Sequence, residues 1–81
     1  MTTFSDIKEM LQILREDSAT PRSLREKIGA MTQLIDSNKD AQIKISSLQE
    51  TLEEVANDIN LPPYIRTQVW SISGALETVD G

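Results

Sequence analysis

The hydrophobic residues of this chain recur every three or four positions in four separate segments. That spacing places an apolar stripe along one face of a helix, whereas a half-buried strand alternates every second residue, which no segment sustains. The sequence therefore predicts an all-α protein. The stripes are Phe4, Ile7, Met10, Leu11 and Leu14; then Leu24, Ile28, Met31 and Ile35; then Ala41, Ile45, Leu48, Leu52, Val55 and Ile59; and last Ile65, Val69, Ile72, Leu76 and Val79.

Polar residues and prolines separate the four segments and supply candidate helix caps. The connections are only a few residues long, so consecutive helices are expected to pack antiparallel. The expected caps and breaks are Ser5 or Thr3 before the first helix, Thr20 and Pro21 before the second, Ser37, Asn38 and Asp40 before the third, and Pro62 and Pro63 before the fourth.

The second half of the chain repeats the first after a shift of 41 residues, which overlays 7–35 on 48–76. The core stripes coincide, and so does a D-x-x-x-P-x-x-x-R motif. We therefore expect two similar helical hairpins, at about 4–36 and 40–79, closing as an antiparallel four-helix bundle in a single domain, 1–81. Two HEAT-like repeats are the alternative, although a solenoid needs about three repeats to bury a continuous core. The motif residues are Asp17, Pro21 and Arg25, and Asp58, Pro62 and Arg66.

The aspartate of this motif lies near the C-terminal end of a helix, where a carboxylate opposes the helix macrodipole. It therefore needs a partner, either backbone N–H groups of the next helix or the arginine one turn into that helix. We interpret Asp17–Arg25 and Asp58–Arg66 as ion pairs that fix the two turns. The alternative interpretation is a polar binding site at each turn.

Two stretches resemble a family of small, all-helical, uncharacterised archaeal proteins. They are EVANDINLPPYIRTQVWSI at 54–72 and its weaker copy ILREDSATPRSLREKI at 13–28. The resemblance covers nearly the whole chain and rests on the turn motif followed by a helix containing a tryptophan. It implies a four-helix fold and an archaeal, cytosolic setting. It implies no activity, because the function of that family is unknown.

Composition removes several classes of chemistry. The chain has no cysteine and no histidine, which excludes thiolate nucleophiles, zinc sites built on those ligands, and the commonest general base. We expect no catalytic, cofactor-binding or metal-binding residues, and therefore not an enzyme and no cofactor. Without a long apolar run or a basic, apolar N-terminal signal, we expect a cytoplasmic protein that does not contact a membrane.

Charge is unevenly distributed along the chain. The net charge is −5, with −1 on residues 1–40 and −4 on residues 41–81. Such a surface repels phosphate backbones and suits a basic partner, so nucleic acid is not the expected ligand. The densest carboxylates, Glu50, Glu53, Glu54 and Asp58, are interpreted as a solvated face, because Mg²⁺ or Ca²⁺ needs more converging oxygens than they offer.

Three apolar side chains do not fit the stripes. At 100° per residue, Trp70 lies roughly 140° from the middle of its stripe, and Ile43 and Ile13 are also displaced. If the fold groups them, with Tyr64 as an extension, they form a contact surface. Alternatively, Trp70 covers an edge of the bundle.

The leading functional hypothesis is a non-catalytic interaction or assembly module, either a homodimer or a subunit of a larger complex, with no small-molecule substrate. Its contact residues are Trp70, Tyr64, Ile43 and Ile13. The alternative is an accessory protein that contacts RNA or a ribonucleoprotein through the N-terminal hairpin, which carries Lys8, Arg15, Arg22, Arg25 and Lys27.

Overall fold

A computed structural model describes residues 1–79. It contains four helices, α1 (Phe4–Glu16), α2 (Arg22–Asp36), α3 (Ala41–Ala56) and α4 (Pro63–Leu76). The only β-type contact within this described part is one isolated parallel bridge between Thr2 and Val79. The predicted all-α class is confirmed.

The helices form a closed ring in which α1 contacts α2, α2 contacts α3, α3 contacts α4, and α4 returns to α1. Lys8 near the start of α1 pairs with Asp36 at the end of α2, and Arg66 near the start of α4 bonds Ala56 at the end of α3. Consecutive helices are therefore antiparallel. The contact between α4 and α1 closes the ring, as expected for a four-helix bundle.

The core consists of the predicted stripes, with one exchange: Leu61 is buried in place of Ile59. Every stripe residue from Leu24 to Ile35 is buried, and the centres of the other three stripes are buried as well. Phe4, Met10, Ile45 and Val79 are half-buried and pack against this core. The buried hydrophobic residues are Ile7, Leu11, Leu14, Leu24, Ile28, Met31, Ile35, Leu48, Leu52, Val55, Leu61, Ile65, Val69, Ile72 and Leu76.

The exchange concerns Ile59, which was predicted to be the last core residue of the third helix. That prediction is wrong, because α3 ends at Ala56 and Ile59 is 90% exposed. The side chain of Asp58 accepts a hydrogen bond from the Asn60 N–H, and this local turn diverts the chain from the helical path. Leu61 is the residue that enters the core instead.

Two of the predicted caps have different outcomes. Thr3 forms a capping box, in which its hydroxyl accepts from the Asp6 N–H and its own N–H donates to the Asp6 carboxylate. The prediction that Thr20 caps α2 is wrong, because Pro21 occupies the N-cap position. Thr20 is buried, and its hydroxyl donates to the Leu14 carbonyl at 2.6 Å, in the last turn of α1. The Leu14 carbonyl also accepts the Asp17 N–H at 3.2 Å, so both of its lone pairs are used.

At the break between α2 and α3, side chains likewise donate to carbonyls in the last turn of α2. The Ser37 hydroxyl donates to the Leu34 carbonyl at 2.6 Å, and the Lys44 ammonium donates to the Ile35 carbonyl at 2.7 Å. Asp40 is the N-cap residue of α3 but makes no side-chain capping bond. At the start of α4, Pro62 is the N-cap and Pro63 begins the helix, where the missing N–H has no consequence.

The buried hydroxyl of Thr20 leads to a stability prediction. Thr20→Val keeps the shape of the side chain but removes the donor to the Leu14 carbonyl, so it should lower the free energy of unfolding by about 1 kcal/mol. The matched control is Thr67→Val, because the Thr67 hydroxyl bonds a helix carbonyl at an exposed position. Urea denaturation measures both. Equal effects of the two substitutions would contradict a special role for the buried hydroxyl.

Candidate functional site

The two repeated turns are alike in how the aspartate is used. The Asp17 carboxylate accepts from the Ala19 N–H at 2.9 Å, and the Asp58 carboxylate accepts from the Asn60 N–H at 2.9 Å. Each carboxylate thus closes a turn with the backbone two residues further on, a common use of aspartate.

The arginines of these turns bind backbone carbonyls. Arg66 donates from Nη2 to the Asp58 carbonyl at 2.7 Å and from Nε to the Ala56 carbonyl at 3.0 Å. Arg25 makes one longer bond, from Nη2 to the Asp17 carbonyl at 3.3 Å. The predicted Asp17–Arg25 and Asp58–Arg66 ion pairs are therefore wrong. The carboxylates are engaged in their own turns, while the carbonyls at a helix C-terminus attract a cation.

Of the four candidate contact residues, Trp70 alone lines a groove of the described part of the chain. Trp70 is 59% exposed, and Tyr64, Ile43 and Ile13 are also exposed. Tyr64 precedes Trp70 by six residues, so these two side chains are separated by about 120° around α4. Ile43 on α3 and Ile13 on α1 do not line the groove beside Trp70. The four residues belong to three helices, and their joint participation in one contact stays a prediction.

Trp70 lies at a groove of about 310 Å³ between α3 and α4. Leu52 and Ala56 supply apolar surface there, and Glu53 and Glu77 bring one carboxylate from each side. The charged residues that line the groove are these two carboxylates, and the Arg66 guanidinium bonds the backbone carbonyl of the lining residue Ala56. The residues that line it are Gln49, Leu52, Glu53, Ala56, Asn57, Trp70, Ser73 and Glu77.

The sequence reading selected Trp70 but missed the residues around it. Ser73 and Glu77 follow Trp70 by three and seven positions, which places all three on one flank of the α4 segment. That spacing was a usable signal for one side of the groove. The contribution from α3 depends on how the two helices pack, which no local pattern reveals.

A second groove, of about 270 Å³, lies between α2 and α3. Ala30, Met31 and Leu34 form its apolar part, and Lys27 and Glu54 bring opposite charges to it. It contains no aromatic side chain, and its two charged residues offset each other. It is therefore a less distinctive site than the groove beside Trp70.

Most of the basic residues of the N-terminal hairpin have acceptors within the chain. Lys8 bonds the Asp36 carboxylate at 2.8 Å, Arg22 lies 3.7 Å from Glu26, and Arg25 bonds a backbone carbonyl. Phosphate recognition needs several cations directed outward together. The Lys8 ammonium is thus paired with a carboxylate, whereas the Arg22 side chain stays 93% exposed.

Two further features are absent from residues 1–79. No cluster of three or more acidic residues there is arranged to hold a metal ion. None of the four helices is both long enough and apolar enough to cross a membrane.

Similar proteins occur in archaea. The chain is 31% identical over 78 residues to a UPF0147 protein of Methanothermobacter thermautotrophicus, covering 95% of this chain and 76% of that one. It is 33% identical over 78 residues to a UPF0147 protein of Thermococcus kodakarensis, covering 90% and 94%. An Aeropyrum pernix UPF0147 protein is 34% identical over 71 residues, covering 86% and 78%.

No solved structure gives a significant match to the chain. The family model described as an uncharacterised protein family, UPF0147, matches residues 1–79. The resemblance to an uncharacterised archaeal family is thereby confirmed, and the chain belongs to the UPF0147 family.

Proposed function

We propose that this protein is a non-catalytic protein–protein interaction module, acting as a homodimer or as a subunit of a larger complex. Its principal contact surface is the groove between α3 and α4. The observation that carries the proposal is the 59% exposure of Trp70 beside that groove. An indole left in water is unfavourable, and tryptophan is among the residues most enriched at the energetic centres of interfaces.

The dimensions of the molecule are compatible with such a contact. A stable interface takes about 800 Å² from each partner. The accessible surface of the chain is 5094 Å², and the bundle measures 32 × 20 × 19 Å. An interface of this size therefore needs about one long face of the bundle. The α3–α4 face is the one that combines an exposed tryptophan with a groove.

The other candidate contact residues have less support. Tyr64, Ile43 and Ile13 are exposed but do not line the groove, and isolated exposed apolar residues are ordinary on protein surfaces. Their participation in a contact stays a prediction. Contact with RNA through the N-terminal hairpin is also less supported, because Lys8 is paired with Asp36 and the net charge of the chain is −5.

Trp70→Ala tests the proposal. We expect the substitution to weaken partner binding or self-association by at least about tenfold, because truncating a central aromatic anchor removes much of the binding energy of an interface. Light scattering measures self-association, and quantitative affinity purification from the native host measures partners retained.

Tyr64→Ala is the matched control, because it truncates an equally exposed aromatic residue of the same helix that does not line the groove. It should leave both measurements close to wild type. Circular dichroism should show that both variants are folded. Identical molar mass and identical partners for wild type and Trp70→Ala would overturn the proposal.

A further inference from the structure

The two hairpins carry a carboxylate at equivalent positions, but its partners differ between them. Asp36, at the end of α2, accepts two hydrogen bonds from the Lys8 ammonium, at 2.8 and 3.0 Å. The shift of 41 residues takes Asp36 to Glu77 and Lys8 to Gln49. Glu77 therefore faces a neutral amide across its groove, and it has no ion-pair partner within residues 1–79.

Two other positions that line the groove are also more negative than their counterparts in the N-terminal hairpin. Arg15 of the N-terminal hairpin corresponds to Ala56, and Gln12 corresponds to Glu53. Glu16 corresponds to Asn57, so the groove between α3 and α4 has two cations fewer than its N-terminal counterpart and the same number of carboxylates. The exchange of Gly29 for Trp70 adds an aromatic face beside these carboxylates.

This combination favours an organic cation. Glu77 directly follows the C-terminus of α4, where free carbonyls add partial negative charge. An indole face attracts a guanidinium, and carboxylates accept its N–H groups in a forked geometry. The molecule already contains one contact of the cation–aromatic type, with the Lys44 ammonium 5.5 Å from the centre of the Phe4 ring.

We propose that the groove between α3 and α4 binds an arginine side chain from a basic segment of a protein partner. The guanidinium stacks on Trp70 and is held by Glu53 and Glu77. This inference rests on the proposed interaction function and specifies the chemistry of the partner. The charge of −4 on residues 41–81 attracts such a segment at long range.

Trp70 provides the readout, because it is the only tryptophan in the chain. A short peptide of alternating arginine and glycine is titrated into the protein at low salt while the emission of Trp70 is followed. We expect a saturable change in emission. The corresponding lysine peptide should bind several-fold more weakly, because an ammonium stacks less well on an aromatic face. A glutamate peptide should produce no change.

Substitutions separate the groove from the overall charge. The double variant Glu53→Gln/Glu77→Gln should lower the affinity for the arginine peptide about tenfold, since two exposed charge pairs are lost. Glu9→Gln/Glu50→Gln makes the same change in net charge at exposed positions outside the groove, and should stay within about twofold of wild type. Gln49→Lys restores the residue of the N-terminal hairpin opposite Glu77, and should also weaken peptide binding.

Several results would overturn the inference. One is equal weakening by the two double variants, which indicates non-specific attraction. Another is a concentration-dependent change in Trp70 emission without peptide, which makes a second copy of the chain the occupant. A third is a lack of peptide binding although Trp70→Ala still disrupts an assembly; the interaction function then stands and the basic partner does not. If neither peptide binding nor a Trp70-dependent assembly is observed, both proposals fail.

Discussion

Ile7→Ala should lower the free energy of unfolding by about 2–5 kcal/mol, the usual loss when a fully buried isoleucine is truncated. Ile7 is completely buried in α1, where its side chain belongs to the central core. A chain of this size has a total stability of only about 4–12 kcal/mol. The loss therefore corresponds to a fall in melting temperature of roughly 10 °C or more. Thermal and urea denaturation measure both quantities.

Ile13→Ala is the control within the same helix. Ile13 is 67% exposed, so its truncation creates no cavity and should change stability by no more than about 0.5 kcal/mol. Alanine is also the better helix former, which offsets the small loss of apolar contact. Similar losses for Ile7→Ala and Ile13→Ala would contradict the assignment of the core face of α1.

Arg66→Met should lower the free energy of unfolding by about 2 kcal/mol, because it removes a charged donor from two backbone carbonyls. Met retains most of the apolar stem, so the change isolates the guanidinium. Arg25→Met is the matched substitution in the other repeat. Arg25 makes one longer bond at an exposed position, so we expect a loss of no more than about 1 kcal/mol.

Asp58→Asn distinguishes carbonyl binding from ion pairing at the same turn. Asparagine still accepts the N–H of Asn60, and the Asp58 carbonyl still accepts from Arg66, so stability should change by less than about 0.5 kcal/mol. An ion pair would make Asp58→Asn and Arg66→Met similarly destabilising. Equal losses for Arg66→Met and Arg25→Met would also contradict the observed difference between the two turns.

The all-helical bundle could be predicted from sequence because each stripe encodes its own buried face, and the repeat links the two halves. Stripe positions such as Ile28 and Val69 are buried as their spacing indicates. The errors occurred where the chain leaves the helix. Ile59 continues the spacing of the α3 stripe, but α3 has already ended at Ala56. Periodicity alone does not locate a helix end.

The repeat contained a signal that corrects this error. Ile59 and Leu61 correspond to Ser18 and Thr20 after the shift of 41 residues. Thr20 and Leu61 are the buried members of these pairs, so the inward position of the turn is the same in both hairpins. Serine at the equivalent of Ile59 is compatible with an exposed site. Comparing the two turns position by position would have placed Leu61 in the core.

The candidate site was less accessible to sequence reasoning. The displacement of Trp70 from its stripe identified an exposed aromatic residue, and the structure places it at a groove. Glu53 and Gln49 reach that groove from another helix, so their proximity depends on tertiary packing. The proposed patch of four apolar residues had the same weakness, since angular displacement indicates exposure but does not indicate which exposed residues are neighbours.

The most direct test of the interaction function follows the indole N–H of Trp70 by nuclear magnetic resonance. The chain is isotope-labelled and the partner is not, so the single tryptophan gives one indole signal. We predict that this signal shifts or broadens when the complex or homodimer forms, because the exposed ring becomes covered. An assembled state in which the Trp70 signal and its solvent accessibility match those of the free chain would contradict the account.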